Sequence, residues 1–240
     1  MNAPVRFLDS GDTALVVEFG AAIDQAVNER VLALDAALSV ADIPGVVELT
    51  PTFRSLMIHY DPLRIERAEL VARTLDLESQ TTVTARASRR WTIPCCYDLP
   101  HGEDLAEVAA RLTLSPDQVV DLHSKAVFRV YMYGFAPGFA YLGGLPEALA
   151  SPRRAQPRPP HPVNAVLMAG GMSLIGTVAM PTGWWVIGRT PERMYAPGRA
   201  PEFLVSVGDE IRFDAVDAES FNRLEARAAA GETLARVEGL

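Results

Sequence analysis

The sequence predicts an α+β protein of two domains, residues 1–86 and residues 87–240. In the first domain, apolar residues recur at helical spacing in two segments that alternate with short apolar runs. In the second domain, most signals beyond Lys125 are short strands that Gly and Pro separate, without helices between them. A chain of 240 residues is long enough to bury a sizeable core in this arrangement.

The first domain reads as strand, helix, strand, strand, helix and strand. Asp9-Ser-Gly-Asp12 forms the turn before the first strand, Asp24 is a suitable N-cap for the first helix, and Pro44-Gly45 ends that helix. The second helix carries Ile65, Leu70 and Leu75 among charged residues, and the four predicted strands are residues 14–19, 46–49, 55–60 and 81–85. This order is that of the split βαβ, ferredoxin-like fold.

The second domain follows a polar linker at residues 86–90. Trp91 begins its first strand, and Ser115, Pro116 and Gln118 open a helix with a capping box. The other predicted elements are a helix over 105–112, strands over 127–133, 163–168, 184–187 and 210–213, and a helix over 218–227. Short strands in this pattern indicate a closed or nearly closed β barrel.

Composition and charge exclude several classes of protein. The formal net charge of −8 argues against a nucleic-acid partner, whose phosphates require clustered Lys and Arg. No apolar stretch approaches the roughly 20 residues that span a bilayer, and the first residues lack the apolar core of a secretion signal. The two cysteines, Cys95 and Cys96, are adjacent and cannot join distant segments. We therefore expect a reduced, cytoplasmic protein with no membrane or nucleic-acid partner.

Residues 131–146 form the most informative segment of the chain. It places four glycines among five aromatic rings: Gly134, Gly138, Gly143 and Gly144 among Tyr131, Tyr133, Phe135, Phe139 and Tyr141. Glycine permits positive φ and the close approach of a ligand or backbone, and an aromatic ring supplies a rigid wall. The segment is therefore either a binding loop or a tightly packed connection between two strands.

This segment and several others resemble a known family. The matching motifs are Gly11-Asp-x-Ala-Leu-Val-Val-Glu-Phe19, Gly134-Phe-x-Pro-Gly-Phe-x-Tyr-Leu-Gly-Gly-Leu-Pro146, Pro152-Arg-Arg154, Pro157-Arg158, Ala169-Gly-Gly171, Gly183-Trp184, Ile187-Gly-Arg-Thr-Pro191 and Gly208-Asp-x-Ile-Arg-Phe213. Together they are similar to subunit 1 of the allophanate hydrolase family (carboxyltransferase domain, subdomains C and D). That family includes the B subunit of 5-oxoprolinase, the kinase inhibitor KipI and one half of the carboxyltransferase domain of urea carboxylase. The resemblance implies a cyclophilin-like barrel for the second domain.

The same resemblance implies a function. The chain resembles one component of an ATP-dependent amide or lactam hydrolase of the 5-oxoprolinase type, which converts 5-oxoproline to glutamate only when its partners are present. The implied partners are a subunit 2 homologue, like the C subunit of 5-oxoprolinase, and a lactamase-type A subunit, and the implied cofactor is ATP bound together with them. Two alternatives stay open. One is a KipI-like inhibitor of a sensor histidine kinase, and the other is an allophanate hydrolase component or half of a urea-type carboxyltransferase that uses biotin.

Common catalytic motifs are missing from the sequence. Gly171 to Gly176 has the spacing of a phosphate loop, but Thr177 stands where that motif requires Lys. The sequence contains no Gly-x-Ser-x-Gly run, and its four histidines show no metal-ligand spacing. We therefore predict no metal site and name no covalent nucleophile.

The candidate catalytic residues are His123 and Arg129. His123 ends a helix just before Ser124, where relatives often carry a His-Ser or His-Thr pair, although a histidine there also stabilises the helix dipole. Arg129 lies within the apolar strand 127–131, where a buried guanidinium requires an internal carboxylate or a ligand anion. The candidate substrate-binding residues are Tyr131, Gly134, Phe135, Pro137, Gly138, Phe139, Tyr141, Arg189 and Thr190.

Two further segments bear on the site. Arg153, Arg154 and Arg158 lie in the proline-rich loop 151–163 and either clamp an anion or are solvated. Members of the resembling family commonly carry Ala-Gly-Gly-Gln-Thr-Gly-Ile-Tyr-Pro at the position of Ala169–Thr177, and this sequence differs from that pattern. Met replaces the Gln, and Gly-Thr replaces the Tyr-Pro. The departure implies a changed ligand or lost catalysis.

Overall fold

The computed structural model describes residues 4–81 and 88–238 of the chain. The chain divides into two compact units, Met1–Ala87 and Ser88–Leu240. That the two units fold independently stays a prediction. No helix in the described part of the chain is long and apolar enough to cross a membrane.

The first unit is an antiparallel sheet with two helices. Its strands are β1 (Arg6–Asp9), β2 (Ala14–Glu18), β3 (Val46–Pro51) and β4 (Ser55–Tyr60), and its helices are α1 (Gln25–Ala41) and α2 (Arg67–Gln80). The strand order is β1-β2-β4-β3. The core joins alternate residues of the two central strands to one face of each helix: Leu15, Val17, Leu56, Ile58, Val31, Leu34, Leu38 and Leu70. Asp24 caps α1 as predicted, because its side chain accepts a hydrogen bond from the Val27 amide at 3.0 Å.

The ferredoxin-like arrangement predicted for this unit is not confirmed. The three predicted strands 14–19, 46–49 and 55–60 and both helices are present. The fourth, 81–85, lies outside the described residues except for Thr81, which ends α2. In the structure the edge beside β2 is occupied by β1, which was missed. This strand has only four residues, and the two at its ends are charged, so the run is too short for the two-residue period to be recognised.

The second unit contains a closed barrel. Its strands are β5 (Arg90–Cys96), β6 (Phe128–Tyr133), β7 (Ala140–Gly143), β8 (Ala165–Ala169), β9 (Met172–Gly176), β10 (Trp185–Arg189), β11 (Glu210–Val216) and β12 (Arg236–Glu238). The order is β10-β8-β9-β7-β6-β11-β5-β12, and a pairing of Arg189 with Cys96 joins β10 to β5 and closes seven of the strands. β11 runs parallel to β5, whereas the other pairs are antiparallel. The predicted barrel is therefore confirmed.

The helices of the second unit are α3 (Leu105–Leu112), α4 (Pro116–Lys125) and α5 (Ala218–Ala229), and residues Glu147–Leu149 form a 3-10 turn. Ser115 and Gln118 form the predicted capping box at the start of α4. Apolar side chains from alternate strand positions fill the barrel together with residues of α3 and α4, including Ile93, Phe128, Val130, Leu142, Val166, Val108 and Val119. The barrel interior is therefore a packed core, and a ligand site has to lie on its outside.

Candidate functional site

A cleft of about 460 Å³ opens beside the end of β10. Small-molecule sites in proteins typically have volumes of about 300–1,000 Å³. The walls come from turns next to β8, β9 and β10 and from the end of α5, and the polar lining residues are Asn164, Thr177, Arg189, Arg193, Tyr195 and Glu225. Charged groups of both signs therefore meet in one opening.

Arg189, predicted as a substrate-binding residue, lies in the wall of this cleft. Its Nε donates a hydrogen bond to the Val163 carbonyl at 3.0 Å, and its Nη2 donates to Glu225 Oε1 at 2.7 Å. The guanidinium also lies 5.2 Å from the ring centroid of Phe221. These three contacts fix the orientation of Arg189 and pair its charge with a carboxylate.

The start of the aromatic loop forms another wall. Pro137 lines the cleft, and its carbonyl accepts a hydrogen bond from Thr177 Oγ1 at 2.8 Å. Gly138 has φ of 73°, and a Cβ there would lie 2.7 Å from the Cβ of Tyr195. A side chain at position 138 would therefore both strain the backbone and collide with the cleft wall.

The remaining aromatic side chains of the loop have unequal exposure. Phe135 is 71% exposed and has φ of 69°, whereas Phe139 is only 4% exposed. The ring centroid of Phe139 lies 5.5 Å from those of both Phe135 and Tyr141. Tyr141 in turn lies 6.3 Å from Trp184 in an edge-to-face arrangement. Phe139 therefore has core surroundings, and Phe135 is the ring that faces solvent.

Three other predicted binding residues shape the backbone of this region. The Gly134 amide donates to the Phe139 carbonyl at 3.2 Å and closes the loop. Tyr131 is buried over Gly143, where a Cβ would lie 2.3 Å from its ring. Thr190 is fully buried, and its Oγ1 accepts from the Glu192 amide at 3.0 Å. These contacts fix the backbone of the aromatic loop, of β7 and of the turn after β10.

The comparison with known proteins decides the family. A family model described as carboxyltransferase domain, subdomain C and D, matches residues 5–205. The chain belongs to this family.

Relatives of this carboxyltransferase-domain family cover most of the chain. The chain is 33% identical over 226 residues to the 5-oxoprolinase B subunit of Bacillus subtilis strain 168, covering 88% of this chain and 93% of that protein. The crystal structure of TTHA0988 is 38% identical with a TM-score of 0.76 over 85% of this chain, which spans only 40% of that longer chain. Kluyveromyces lactis urea carboxylase has a TM-score of 0.80 at 17% identity, over 98% of this chain and 24% of that chain. At that identity it shows a shared fold alone.

His123, one candidate catalytic residue, lies inside the barrel and away from the cleft. It is fully buried, and its ring stacks on Phe213 at a centroid distance of 4.9 Å. Its Nδ1 lies 2.8 Å from the Tyr97 hydroxyl, and its Nε2 lies 3.2 Å from Ser173 Oγ. Because the Ser173 hydroxyl donates its one hydrogen to the Leu167 carbonyl at 2.9 Å, Nε2 carries the proton and Nδ1 accepts from Tyr97. Burial lowers the pKa of His123 to about 3, so the ring is neutral at pH 7.

Arg129, the other candidate catalytic residue, also lies outside the cleft. Its side chain is half-buried on β6, and its Nη1 lies 3.5 Å from the Gly208 carbonyl. The residue opposite it on β11 is Glu210, whose carboxylate is bonded to Arg90 at 2.7 Å. The structure therefore places neither candidate catalytic residue of this family member beside Arg189.

The arginines of the proline-rich loop bind a carboxylate of the protein itself. Arg154 Nη1 lies 3.1 Å from Asp104 Oδ1, and Arg158 Nη1 lies 2.9 Å from Asp104 Oδ2. Asp104 Oδ2 also accepts from the Val186 amide at 2.8 Å. Arg153 instead lies over the ring of Trp184 at 5.5 Å. An anion clamp is thus present, and its anion is an internal carboxylate.

The segment that departs from the family pattern is split between core and cleft. Met172 is buried on β9, opposite Gly143. A Cβ at Gly176 would lie 2.6 Å from the His161 ring, so no larger side chain fits at position 176 with that histidine in place. Of the replaced residues, only Thr177 contributes to the cleft.

Several cleft residues were not among the predicted ones. Asn164 lies in the turn before β8, Arg193 and Tyr195 lie in the segment after β10, and Glu225 lies on the tail helix α5. Arg193 lies two residues after the Ile187–Pro191 motif, so its position next to that motif could have indicated it as a site residue. Glu225 approaches Arg189 only through the tertiary fold, so no local pattern could have indicated it.

The cysteines and the histidines add no metal site. In the described residues, no three His, Cys, Asp or Glu side chains are grouped in a way that could hold a metal ion. Cys95 and Cys96 are free and buried in β5. Burial raises the pKa of the Cys95 thiol, so it stays protonated and is a poor nucleophile.

Proposed function

We propose that this chain is the B-type component of an ATP-dependent 5-oxoprolinase, which opens 5-oxoproline to glutamate only when its partner subunits are present. The observation that supports it most is the similarity to the 5-oxoprolinase B subunit of Bacillus subtilis, which covers 88% of this chain and 93% of that protein. Because the alignment covers nearly the full length of both proteins, it favours the same role for both rather than a single domain that they share.

The reaction needs groups that bind an anionic lactam. In the proposed chemistry, transfer of the γ-phosphoryl group of ATP to the lactam oxygen releases ADP and activates the ring carbon. Water then adds to that carbon, the C–N bond breaks with the nitrogen taking a proton, and a second water releases phosphate. The carboxylate of 5-oxoproline takes no part in these steps, so it is the natural group for a protein to hold.

The cleft beside β10 is suited to holding the substrate rather than performing the bond changes. It offers guanidinium groups, a carboxylate and a wall of backbone from the aromatic loop. Residues that would activate ATP or water then belong to the partners, a C-type 5-oxoprolinase protein and a lactamase-type A protein. This division explains why the chain alone should be inactive.

The test is reconstitution of the three subunits. We expect lactam-dependent ATP hydrolysis and glutamate release from the complete mixture, and neither product when this chain is omitted. The control is the complete mixture without 5-oxoproline, in which ADP formation should fall to background. Turnover by this chain alone, or no turnover in a mixture that assembles, would contradict the proposal.

The alternative functions remain predictions without an observation that favours them. The likeness to urea carboxylase at 17% identity supports the fold only, so it adds nothing for biotin or carboxyl transfer. A KipI-like action on a histidine kinase would leave the reconstituted mixture inactive, and it would give inhibition of kinase autophosphorylation instead.

A further inference from the structure

The two arginines of the cleft differ in what they already bind. Arg189 is held by Glu225 and the Val163 carbonyl, and its side chain is 23% exposed. Arg193 is exposed, and its side chain makes no hydrogen bond or ion pair with the residues that the structure describes. Arg193 is therefore the cleft cation that is open to a ligand anion.

The wall that α5 contributes to the cleft favours a hydrogen-bond donor. The Glu225 side chain is 45% exposed, so it has room for a second partner beside Arg189. Ala228 and Ala229, in the last turn of α5, line the same side. The C-terminal end of a helix carries partial negative charge, which favours an N–H or ammonium group and disfavours a phosphate.

Asn164 supplies a further polar group to the cleft lining. Its backbone has φ of 62° and is fully used, since its amide donates to the Gly176 carbonyl at 2.7 Å and its carbonyl accepts from the Thr190 amide at 3.0 Å. Asparagine tolerates this left-handed conformation better than most residues. Its half-buried side-chain amide is left to the cleft, where it can donate to a carbonyl or accept from an N–H.

From this arrangement, and resting on the proposed function, we infer that the cleft binds a small molecule that carries both a carboxylate and an N–H donor, a lactam acid such as 5-oxoproline. Arg193 binds the carboxylate, while Glu225 and the end of α5 face the ring N–H. Because Glu225 already offsets the charge of Arg189, the described residues of the cleft leave one cation uncompensated, which suits a monoanion rather than the polyphosphate of a nucleotide.

The test is a calorimetric titration of the full chain with three probes. L-5-oxoproline carries both groups, 2-pyrrolidinone carries the lactam without the carboxylate, and cyclopentanecarboxylate carries the carboxylate without the N–H. We expect L-5-oxoproline to bind at least about tenfold more tightly than either of the others, since each lacks one charge-assisted hydrogen bond.

Two cleft variants and one control separate the contributions. Arg193→Gln should weaken L-5-oxoproline by about tenfold or more and leave 2-pyrrolidinone unchanged. Glu225→Gln should strengthen cyclopentanecarboxylate, because the charge of Arg189 is then no longer paired. Arg212→Gln is the matched control, since Arg212 is an exposed arginine of β11 that does not line the cleft. Unchanged thermal midpoints of all three variants would show that they fold.

The inference is overturned if wild type shows no saturable binding of L-5-oxoproline, or if Arg193→Gln binds it as wild type does. It is also overturned if ATP displaces the ligand from this chain. Its failure is distinguishable from that of the proposed function: turnover of the mixture with Arg193→Gln at the wild-type rate removes the inference alone. Binding by the chain without turnover of the mixture removes the proposed function alone.

Discussion

The interior of the second unit and the cleft on its surface hold similar side chains in opposite circumstances. Asp104 and His123 are buried, and each polar atom described for them has a partner within the protein. Arg193 is exposed and Glu225 is partly exposed, so both can bind a further partner. The sequence analysis predicted a catalytic role for His123 in the interior and a binding role for Arg189 in the cleft.

The difference shows what separates a structural charge from one that is free to bind. Arg154 and Arg158 look like ligand arginines in the sequence, yet the buried Asp104 binds both of them, and Glu107 and Glu103 each bind one. Burying a charge is costly without a partner, so folding itself requires their carboxylate. Arg193 remains in water, where it needs no partner. Stability measurements should therefore respond to the first set and binding measurements to the second.

The largest expected effect comes from removing the carboxylate of Asp104. Asp104→Ala removes the buried carboxylate that Arg154 and Arg158 share and leaves them only the more exposed Glu107 and Glu103. Because each hydrogen bond to a charged group contributes about 1.5–3 kcal/mol, we expect the loss of two to lower the free energy of unfolding by about 3–5 kcal/mol. The matched change on the cleft side, Glu225→Ala, breaks an exposed ion pair and should cost less than about 1 kcal/mol. Urea denaturation of both variants measures the contrast. Equal losses of unfolding free energy in the two variants would show that the buried and the exposed carboxylate contribute equally to stability.

A second test concerns the buried end of the aromatic loop, Phe139. Phe139→Ala removes a ring that is only 4% exposed, and the cavity should cost about 3–5 kcal/mol. Phe139 would then belong with the packed interior rather than with the binding surface. A variant of normal stability that binds L-5-oxoproline more weakly would return Phe139 to the site.

The third test measures how stability depends on pH, which reports whether His123 is buried as a neutral ring. Its pKa is lowered to about 3 in the folded protein, whereas an unperturbed histidine has a pKa of about 6.5. Below pH 6.5 the unfolded chain binds a proton that the folded chain does not, so stability is lost as the pH falls from about 6.5 towards 3, by about 1.4 kcal/mol per pH unit. Above pH 6.5 this contribution is fully present.

His123→Phe isolates that contribution. The variant should lose stability at neutral pH, because Tyr97 and Ser173 lose a partner, but its stability should fall less steeply than that of wild type between pH 6.5 and 4.5. His101 and His161, whose pKa values burial also lowers, are present in both proteins and cancel in the difference. Parallel curves for the two proteins would mean that His123 is accessible to protons, as a catalytic residue would be.

Much of the fold follows from patterns that are local in the sequence. The strands 127–133, 163–168, 184–187 and 210–213 were predicted within a few residues, because branched and aromatic residues are frequent in them. The strands β7 and β9 were missed, since glycines interrupt the runs around them. The edge strand β1 was missed because it is short.

The site was predictable only where its residues lie next to a recognisable motif. Arg189, Pro137 and Gly138 belong to such motifs and do border the cleft. The position of His123 at the end of a capped helix was predicted, but a helix end looks the same in sequence whether it faces solvent or fills a barrel. Glu225 and Asp104 reach their arginines from 36 and 50 or more positions away, which no local period encodes.

The smallest expected effect tests the exposed end of the aromatic loop. Phe135 adopts φ of 69°, a left-handed conformation that costs a residue with a Cβ roughly 1–2 kcal/mol. Because 71% of its surface is exposed, its packing offsets little of that cost. Phe135→Gly should therefore leave the free energy of unfolding unchanged or raise it by about 1 kcal/mol, with Phe135→Ala, which keeps the Cβ, as the control. A loss of more than about 1 kcal/mol in Phe135→Gly would show that the contact with Phe139 outweighs the backbone strain. A gain would mean that the protein retains an exposed aromatic ring at a cost in stability, which is the pattern of a residue kept for contact with another molecule.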